Sequence, residues 1–246
     1  YVDAIIEVVR VFEDKNVIHV HGGIDPDNDI ATINTELLLA DLEQAEKLIE
    51  FSKKSKQPYH NNVIRALERA TDPELSKALK QFQFLTAKPL LYVATISEGS
   101  TDVSAIDMHA KKEDAGVISI NVKAEEEIVA LTDAEQAEYR QELGLKSGLN
   151  EIIRAGYELL GLITFFTAGP KEAHAWTVSN GAKAPEAAGK IHTDFEKGFI
   201  RAQVYTTEDL KNLGSEKAIK EAGKLRIEGK EYTINDGDVV EFLFNV

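Results

Sequence analysis

A small polar cluster follows an apolar run near the middle of the chain. The run Leu90–Ala94 ends at Thr95, Ser97 and Glu98, and a glycine comes next. Apolar runs of this length that end in polar residues and glycine are typical of a buried strand. In open α/β sheets, ligands bind beyond the carboxyl ends of the strands. The hydroxyl and carboxylate groups of this loop are therefore predicted to face a ligand.

An aromatic residue stands at the end of an earlier predicted strand. Phe12 follows the β-rich run from Ile5 to Val9, which only Glu7 interrupts. A phenylalanine at a strand end either packs into the core or stacks on a planar ligand such as a nucleobase. The residue type alone leaves both alternatives open.

Two groups of histidines offer other chemistry. His19 and His21 would point to the same side of a strand, which suits metal binding, but no third ligand is evident nearby. A loop or strand-end role is favoured for them, with a metal-dependent hydrolase as the minor alternative. His192 stands near Asp194, and such a pair can support acid–base catalysis. Because no motif positions a serine nucleophile, a structural or partner-binding role is favoured for His192.

The sequence from Tyr1 to Val246 contains no phosphate-binding P-loop of the form G-x-x-x-x-G-K-[ST]. The stretch Gly144–Gly148 has the wrong spacing, and Ile191 stands where a hydroxyl residue would be needed. Neither a triphosphate cradle nor a set of magnesium ligands is recognisable. Phosphoryl transfer would therefore need groups from outside these residues.

The composition is typical of a soluble globular protein. Of the 246 residues, 43% are hydrophobic and 28% are charged. The absence of cysteine excludes disulfides, thiolate metal sites and a cysteine nucleophile. No apolar run approaches the roughly 18–20 residues of a membrane span, and no signal-peptide pattern is present. We therefore expect a cytoplasmic protein that does not enter a membrane.

The net charge of −14 is distributed unevenly. Residues 163–246 carry 11 basic and 13 acidic side chains, so most of the negative charge lies in the preceding part. Because nucleic-acid binding depends on neutralising phosphates, the whole surface is not suited to it. Any contact with nucleic acid is expected at the C-terminal end.

The predicted elements alternate between strands and helices up to about residue 162. A helix is expected after Gly23, with Asp29 or Thr32 as its N-cap, and polar helical sequence continues to about residue 83. Strands are predicted at Leu90–Ala94 and Gly116–Val122, and two helices follow the second strand.

The C-terminal part has a different pattern, with short strands around one helix. Pro185 marks the start of that helix, and Glu228-Gly229 and Asp236-Gly237 are turn signals between strands. We expect a small mixed sheet that grips a single helix.

Several long stretches resemble one known family. They are DAIIEVVRVFEDKNVIHVHGGIDPDNDIATINTELLLADLE, FLTAKPLLYVATISE, LNEIIRAGYELLGLITFFTAGPKEAHAWTV, KAPEAAGKIHTDFEKGFIRA and EAGKLRIEGKEYTINDGDVVEFLFNV. Together they cover nearly the whole chain and resemble the YchF / Obg-like ATPase family of translation-factor-class P-loop NTPases. The resemblance implies an α/β fold: a partial P-loop NTPase domain with an inserted helical coiled-coil arm, plus a C-terminal β-grasp (TGS) domain.

The resemblance also implies domain boundaries. Residues 1–44 and 84–162 would form the remainder of the P-loop NTPase domain. Residues 45–83 would form the helical arm, in a shorter version than the family's. Residues 163–246 would form the TGS domain.

The family hydrolyses ATP with Mg²⁺, in preference to GTP, and associates with ribosomes. The resemblance therefore implies an ATP-hydrolysing regulatory NTPase that acts in translation or stress regulation. The family's P-loop and magnesium-binding switch residues precede the position of Tyr1, so we expect them upstream and expect residues 1–246 alone to be inactive. The alternative is a non-catalytic module that contacts RNA or the ribosome through its C-terminal β-grasp domain.

The resemblance assigns nucleotide contacts to six residues. They are Phe12, Thr95, Ile96, Glu98, Val122 and Lys123. Phe12 lies where the family packs an aromatic ring on adenine, and Val122 and Lys123 belong to a loop, residues 121–124, that would contact the base through its backbone. Thr95 departs from the Asn of the family's N-x-x-E motif, whereas Glu98 matches its Glu and Ile96 would follow the base plane.

Overall fold

The chain divides into two compact units in its computed structural model. The structure describes residues 2–14, 23–55, 82–97, 101–143, 148–169 and 172–245. One unit is Tyr1–Leu159 and the other is Leu160–Val246. His19, His21 and Glu98 lie outside the described residues, as do residues 56–81 of the predicted arm, residues 45–83.

The N-terminal unit contains a three-stranded parallel sheet. Its strands are β1 (Ile5–Arg10), β2 (Leu90–Ile96) and β3 (Gly116–Asn121), in the order β1-β2-β3. The central strand β2 is buried from Leu91 to Ala94, as expected for a parallel strand that is covered on both faces. The apolar run that predicted a buried strand is therefore confirmed.

Helices connect and cover these strands. They are α1 (Pro26–Ser55), a 3₁₀ turn (Leu85–Ala87), α2 (Ser104–Glu113), α3 (Val122–Val129), α4 (Asp133–Leu143) and α5 (Gly148–Leu159). Helices α1 and α2 bury the sheet face that carries Val9 and Tyr92, where Ile30 and Ile106 complete the core.

The N-cap of helix α1 is Asp25, which lies four residues before Asp29 and seven before Thr32, the two predicted caps. The Asp25 carboxylate accepts a hydrogen bond from the Asn28 N–H at 3.1 Å and so caps the helix, with Pro26 in its first turn. The prediction of Asp29 or Thr32 as the cap was wrong, because both residues lie inside the helix. Residues 44 and 45 also lie inside α1, so no loop marks the predicted start of the arm.

The C-terminal unit contains a five-stranded mixed sheet. Its strands are β4 (Leu162–Ala168), β5 (Ala173–Ser179), β6 (Phe199–Thr206), β7 (Arg226–Glu228) and β8 (Asp238–Phe244), in the order β5-β4-β8-β6-β7. Strands β4 and β8 are parallel, and the other neighbouring strands are antiparallel. The turns predicted at Glu228-Gly229 and Asp236-Gly237 lie at the end of β7 and before β8.

One helix packs against this sheet, as the sequence predicted. Helix α6 (Ala184–Ile191) starts with Pro185 near its first position and places Ala187 and Ala188 in a core with Phe165 and Val240. The shorter helices are α7 (Thr193–Lys197), α8 (Thr207–Leu213) and α9 (Glu216–Glu221). The small side chains of Ala187 and Ala188 are fully buried, so α6 can pack closely against the sheet.

None of the helices in the described part of the chain is long and apolar enough to cross a bilayer.

Candidate functional site

The carboxyl ends of the three parallel strands form one edge of the N-terminal sheet. The register pairs Arg10 of β1 with Thr95 of β2, and Ile96 of β2 with Asn121 of β3. The segments that leave the three strands therefore start side by side. This is the edge at which open α/β sheets bind ligands.

Thr95 connects the ends of β1 and β2. Its Oγ1 donates a long hydrogen bond of 3.4 Å to the Val9 carbonyl, and its own carbonyl accepts from the Val11 N–H at 3.1 Å. Thr95 is half-buried at the end of β2. The two contacts hold the end of β1 and the residue that follows it against the end of β2.

Phe12 lies two residues beyond the end of β1 and is partly buried. The guanidinium carbon of Arg10 lies 5.4 Å from the centroid of the Phe12 ring. This distance is in the range of a cation–π contact. Phe12 is thus held at the sheet edge by its neighbour two residues earlier.

Val122 and Lys123 lie in the first turn of α3, not in a loop as the family resemblance implied. The Asn121 side chain accepts a hydrogen bond from the Ala124 N–H at 3.1 Å and caps the helix. Because this cap converts the end of β3 directly into a helix, there is no intervening loop. Both side chains are exposed, Val122 at 47%.

The groups at this edge suit the base portion of a nucleotide. Phe12 supplies an aromatic ring near the end of β1, and Ile96 and Val122 supply apolar side chains near the ends of β2 and β3. Stacking and apolar contact suit the flat faces of a heteroaromatic base. Glu98, another of the six predicted contacts, lies outside the described residues.

Comparisons with known proteins cover both units. The family model YchF-GTPase_C, described as a protein of unknown function, matches residues 162–245. A protein named ribosome-binding ATPase YchF from Bacillus subtilis is 46% identical over 270 residues, which cover 100% of this chain and 74% of that protein. This chain belongs to the YchF family.

Further relatives agree with this assignment. The Escherichia coli O157:H7 protein of the same name is 45% identical over 268 residues, covering 99% of this chain and 73% of its own length. The structure of the Schizosaccharomyces pombe YchF GTPase superposes with a TM-score of 0.79 at 32% identity, covering 98% of this chain and 72% of that one. The predicted α/β fold class, with part of a P-loop NTPase domain and a C-terminal β-grasp (TGS) domain, is confirmed.

The histidines of this YchF-family chain are not assembled into a reactive site in the described residues. His192 caps α7, where its Nδ1 accepts from the Asp194 N–H at 3.2 Å. Its Nδ1 also lies 3.5 Å from Asp194 Oδ2, and both side chains are largely exposed. The geometry is that of a helix cap, in agreement with the favoured structural role. The described residues also contain no group of three or more His, Asp or Glu side chains that could hold a metal ion.

Sequence reasoning missed the contact of Arg10 with Phe12 and the capping role of Asn121, which it had placed in a base-contacting loop. Arg10 precedes Phe12 by two positions, the spacing that places strand side chains on the same face, so a pattern of period two signals the contact. Asn121 is a good N-cap residue before a helical segment. Both signals were present in the sequence. Each could be used only if the last residue of the strand was known.

Proposed function

We propose that this chain is part of an ATP-binding, ATP-hydrolysing regulatory NTPase that associates with ribosomes and acts in translation or stress regulation. One observation carries the proposal. Relatives that are 45–46% identical along 99–100% of the chain are named ribosome-binding ATPases. Identity of that size along the whole chain supports a shared activity.

Within this proposal the sheet edge recognises the adenine base. The Phe12 ring stacks on the base, and Ile96 and Val122 flank it with apolar side chains. Thr95 keeps the ends of β1 and β2 together, and Glu98 and Lys123 complete the set of contacts. These groups bind and orient the nucleotide, which is a large part of catalysis in phosphoryl transfer.

The proposed cofactors are ATP and Mg²⁺. A bound Mg²⁺ ion would neutralise charge that develops on the phosphate oxygens. We assign no described residue of this chain to that ion, and the base-contacting residues act without it. Recognition of the base is therefore the part of the activity that these residues can be tested for.

The Phe12→Leu variant of the full-length protein should bind ATP more weakly. Loss of a base–aromatic stack worth about 1–3 kcal/mol corresponds to a rise in Kd of roughly 5- to 150-fold. Isothermal titration calorimetry with ATP and with GTP measures the effect. Phe12→Tyr keeps the ring and serves as the matched control, with a Kd close to that of the wild type. Tighter binding of GTP than of ATP by the wild type would contradict the proposed base preference.

The full-length protein should sediment with purified ribosomes through a sucrose cushion, and the bound fraction should depend on whether ATP or ADP is present. The physical reason is that a regulatory NTPase must bind its partner differently in its nucleotide states. In Phe12→Leu this dependence should shift to higher ATP concentration. Absence of cosedimentation in either nucleotide state, at low as well as moderate salt, would contradict the ribosome part of the proposal.

A further inference from the structure

Arg10 occupies a specific place at the sheet edge. It is the last residue of β1 and is half-buried. Its guanidinium carbon lies 5.4 Å from the centroid of the Phe12 ring. A guanidinium that close to an aromatic ring is attracted by the negative charge on the ring face. Arg10 therefore restricts where the ring of Phe12 can lie.

The backbone between these two residues is also fixed. Arg10 pairs with Thr95 in the parallel ladder, and the Val11 N–H donates to the Thr95 carbonyl at 3.1 Å. The main chain is thus held to β2 up to the residue before Phe12. The side chain of Phe12 can still change its orientation, and the contact of Arg10 with the ring limits that change.

We propose that Arg10 is a positioning residue, which holds the Phe12 ring in the orientation that stacks on the nucleobase. The inference rests on the proposed function, because it concerns the same base site. A side chain that is ordered before binding does not lose that freedom on binding, so affinity improves. Arg10 acts through Phe12 and makes no direct contact with the base.

A second role for an arginine at a nucleotide site is direct contact with phosphate, for which its planar guanidinium is well suited. The contact with the Phe12 ring favours the positioning role instead. The two roles make different predictions for ligands that contain only one part of the nucleotide. Adenosine carries the base without phosphates, and inorganic tripolyphosphate carries phosphates without the base.

The test compares Arg10→Met, Arg10→Lys and Phe12→Leu in the full-length protein. Met keeps the length of the side chain without charge, and Lys keeps the charge without the planar group. We expect Arg10→Met to raise the Kd of ATP and of adenosine by the same factor, roughly three- to tenfold, the size expected for ordering one side chain on binding. Arg10→Lys should have a smaller effect, and the rise should appear in KM for ATP more than in kcat.

Inhibition by tripolyphosphate should be the same in Arg10→Met as in the wild type. The double variant Arg10→Met, Phe12→Leu should bind ATP no more weakly than Phe12→Leu alone, because Arg10 acts only through the ring. Arg201→Met, which removes an exposed arginine of the C-terminal unit, is the control for loss of charge. This variant should bind ATP, adenosine and tripolyphosphate as the wild type does.

Three results would overturn the inference. Equal weakening of ATP and tripolyphosphate would place Arg10 on the phosphates, additive effects in the double variant would make it independent of Phe12, and an unchanged Kd would remove its role. If Phe12→Leu itself binds ATP as the wild type does, the proposed base site fails and the inference fails with it. That outcome is distinguishable, because it is read from the Phe12 variant alone.

Discussion

The N-terminal unit of the wild type should lose stability as pH rises from about 4.5 to about 7, and replacement of Glu7 by glutamine should abolish this loss. Glu7 is only 3% exposed, and neither carboxylate oxygen has a hydrogen-bond partner in the described part of the chain. Burial, and secondly the charge of Glu113, raise the pKa of Glu7 from its ordinary value of 4.5 to about 7. The protonated form is therefore the one that suits the folded state.

The groups around Glu7 explain why its charge is unfavourable. On β2, the Tyr92 hydroxyl donates to Glu113 Oε2 at 2.5 Å, and on α1, Asn34 Nδ2 donates to Glu113 Oε1 at 3.1 Å. These two donors are directed to the carboxylate of α2 and not to Glu7. An ionised Glu7 would thus be a buried charge beside another negative group, without hydrogen bonds to compensate it.

The direction of the effect follows from the two pKa values. Because the pKa in the folded state is higher than in the unfolded state, the folded protein binds the proton more tightly. The stabilisation is complete below pH 4.5 and is lost as pH rises through 7. The difference between the two values corresponds to about 3 kcal/mol. Glu7→Gln is neutral at every pH and should lose little stability over the same range.

Hydrogen exchange of the β1 and β2 amides at pH 5 and pH 8 measures this change within the N-terminal unit. Tryptophan fluorescence would not report it, because the single tryptophan, Trp176, lies in β5 of the C-terminal unit. Glu36→Gln, which removes an exposed carboxylate from α1, is the matched control and should keep the pH dependence of the wild type. Parallel pH profiles for Glu7→Gln and the wild type would show that Glu7 is not the responsible group.

Replacement of Asp41 by alanine should destabilise the N-terminal unit by about 2–4 kcal/mol, since it removes three hydrogen bonds that a buried carboxylate accepts. Asp41 lies on α1 and is 7% exposed. Its Oδ1 accepts from the Leu85 N–H at 2.7 Å. Its Oδ2 accepts from the Thr86 N–H at 2.8 Å and from Thr86 Oγ1 at 2.7 Å.

These bonds hold the 3₁₀ turn against α1. The Gln44 side chain adds a bond from α1 to the carbonyl of Phe82. Thr86→Val removes only the hydroxyl bond and should cost about 1 kcal/mol. Urea unfolding, with hydrogen exchange of the Leu85 and Thr86 amides, measures both variants. An Asp41→Ala variant no less stable than Thr86→Val would contradict the importance of the two backbone bonds.

The candidate site was predictable in its position more than in its geometry. Strand ends can be found from apolar runs, so Thr95 and Ile96 were placed at the sheet edge by the residues before them. The assignment of Phe12, Val122 and Lys123 to base contact came from family resemblance and stays a prediction. Their local structure was less predictable: the first turn of α3 replaces an expected loop, because the Asn121 cap acts over only three residues.

The sequence by itself determined the elements that have a local cause. The continuous apolar run of β2, the proline at the start of α6 and the glycine turns near β7 and β8 each act within a few residues, so their effect can be read from neighbours. The family motifs, which extend over long stretches, identified the fold by resemblance.

Only the tertiary structure decided which distant residues meet. Glu7 interrupts an apolar strand, and its burial depends on how α1 and α2 cover that face of the sheet. Asp41 and Thr86 are 45 residues apart in sequence, and no local pattern connects them. Such contacts depend on packing and strand register, which arise from the whole chain, whereas periodicity and capping arise from short segments of it.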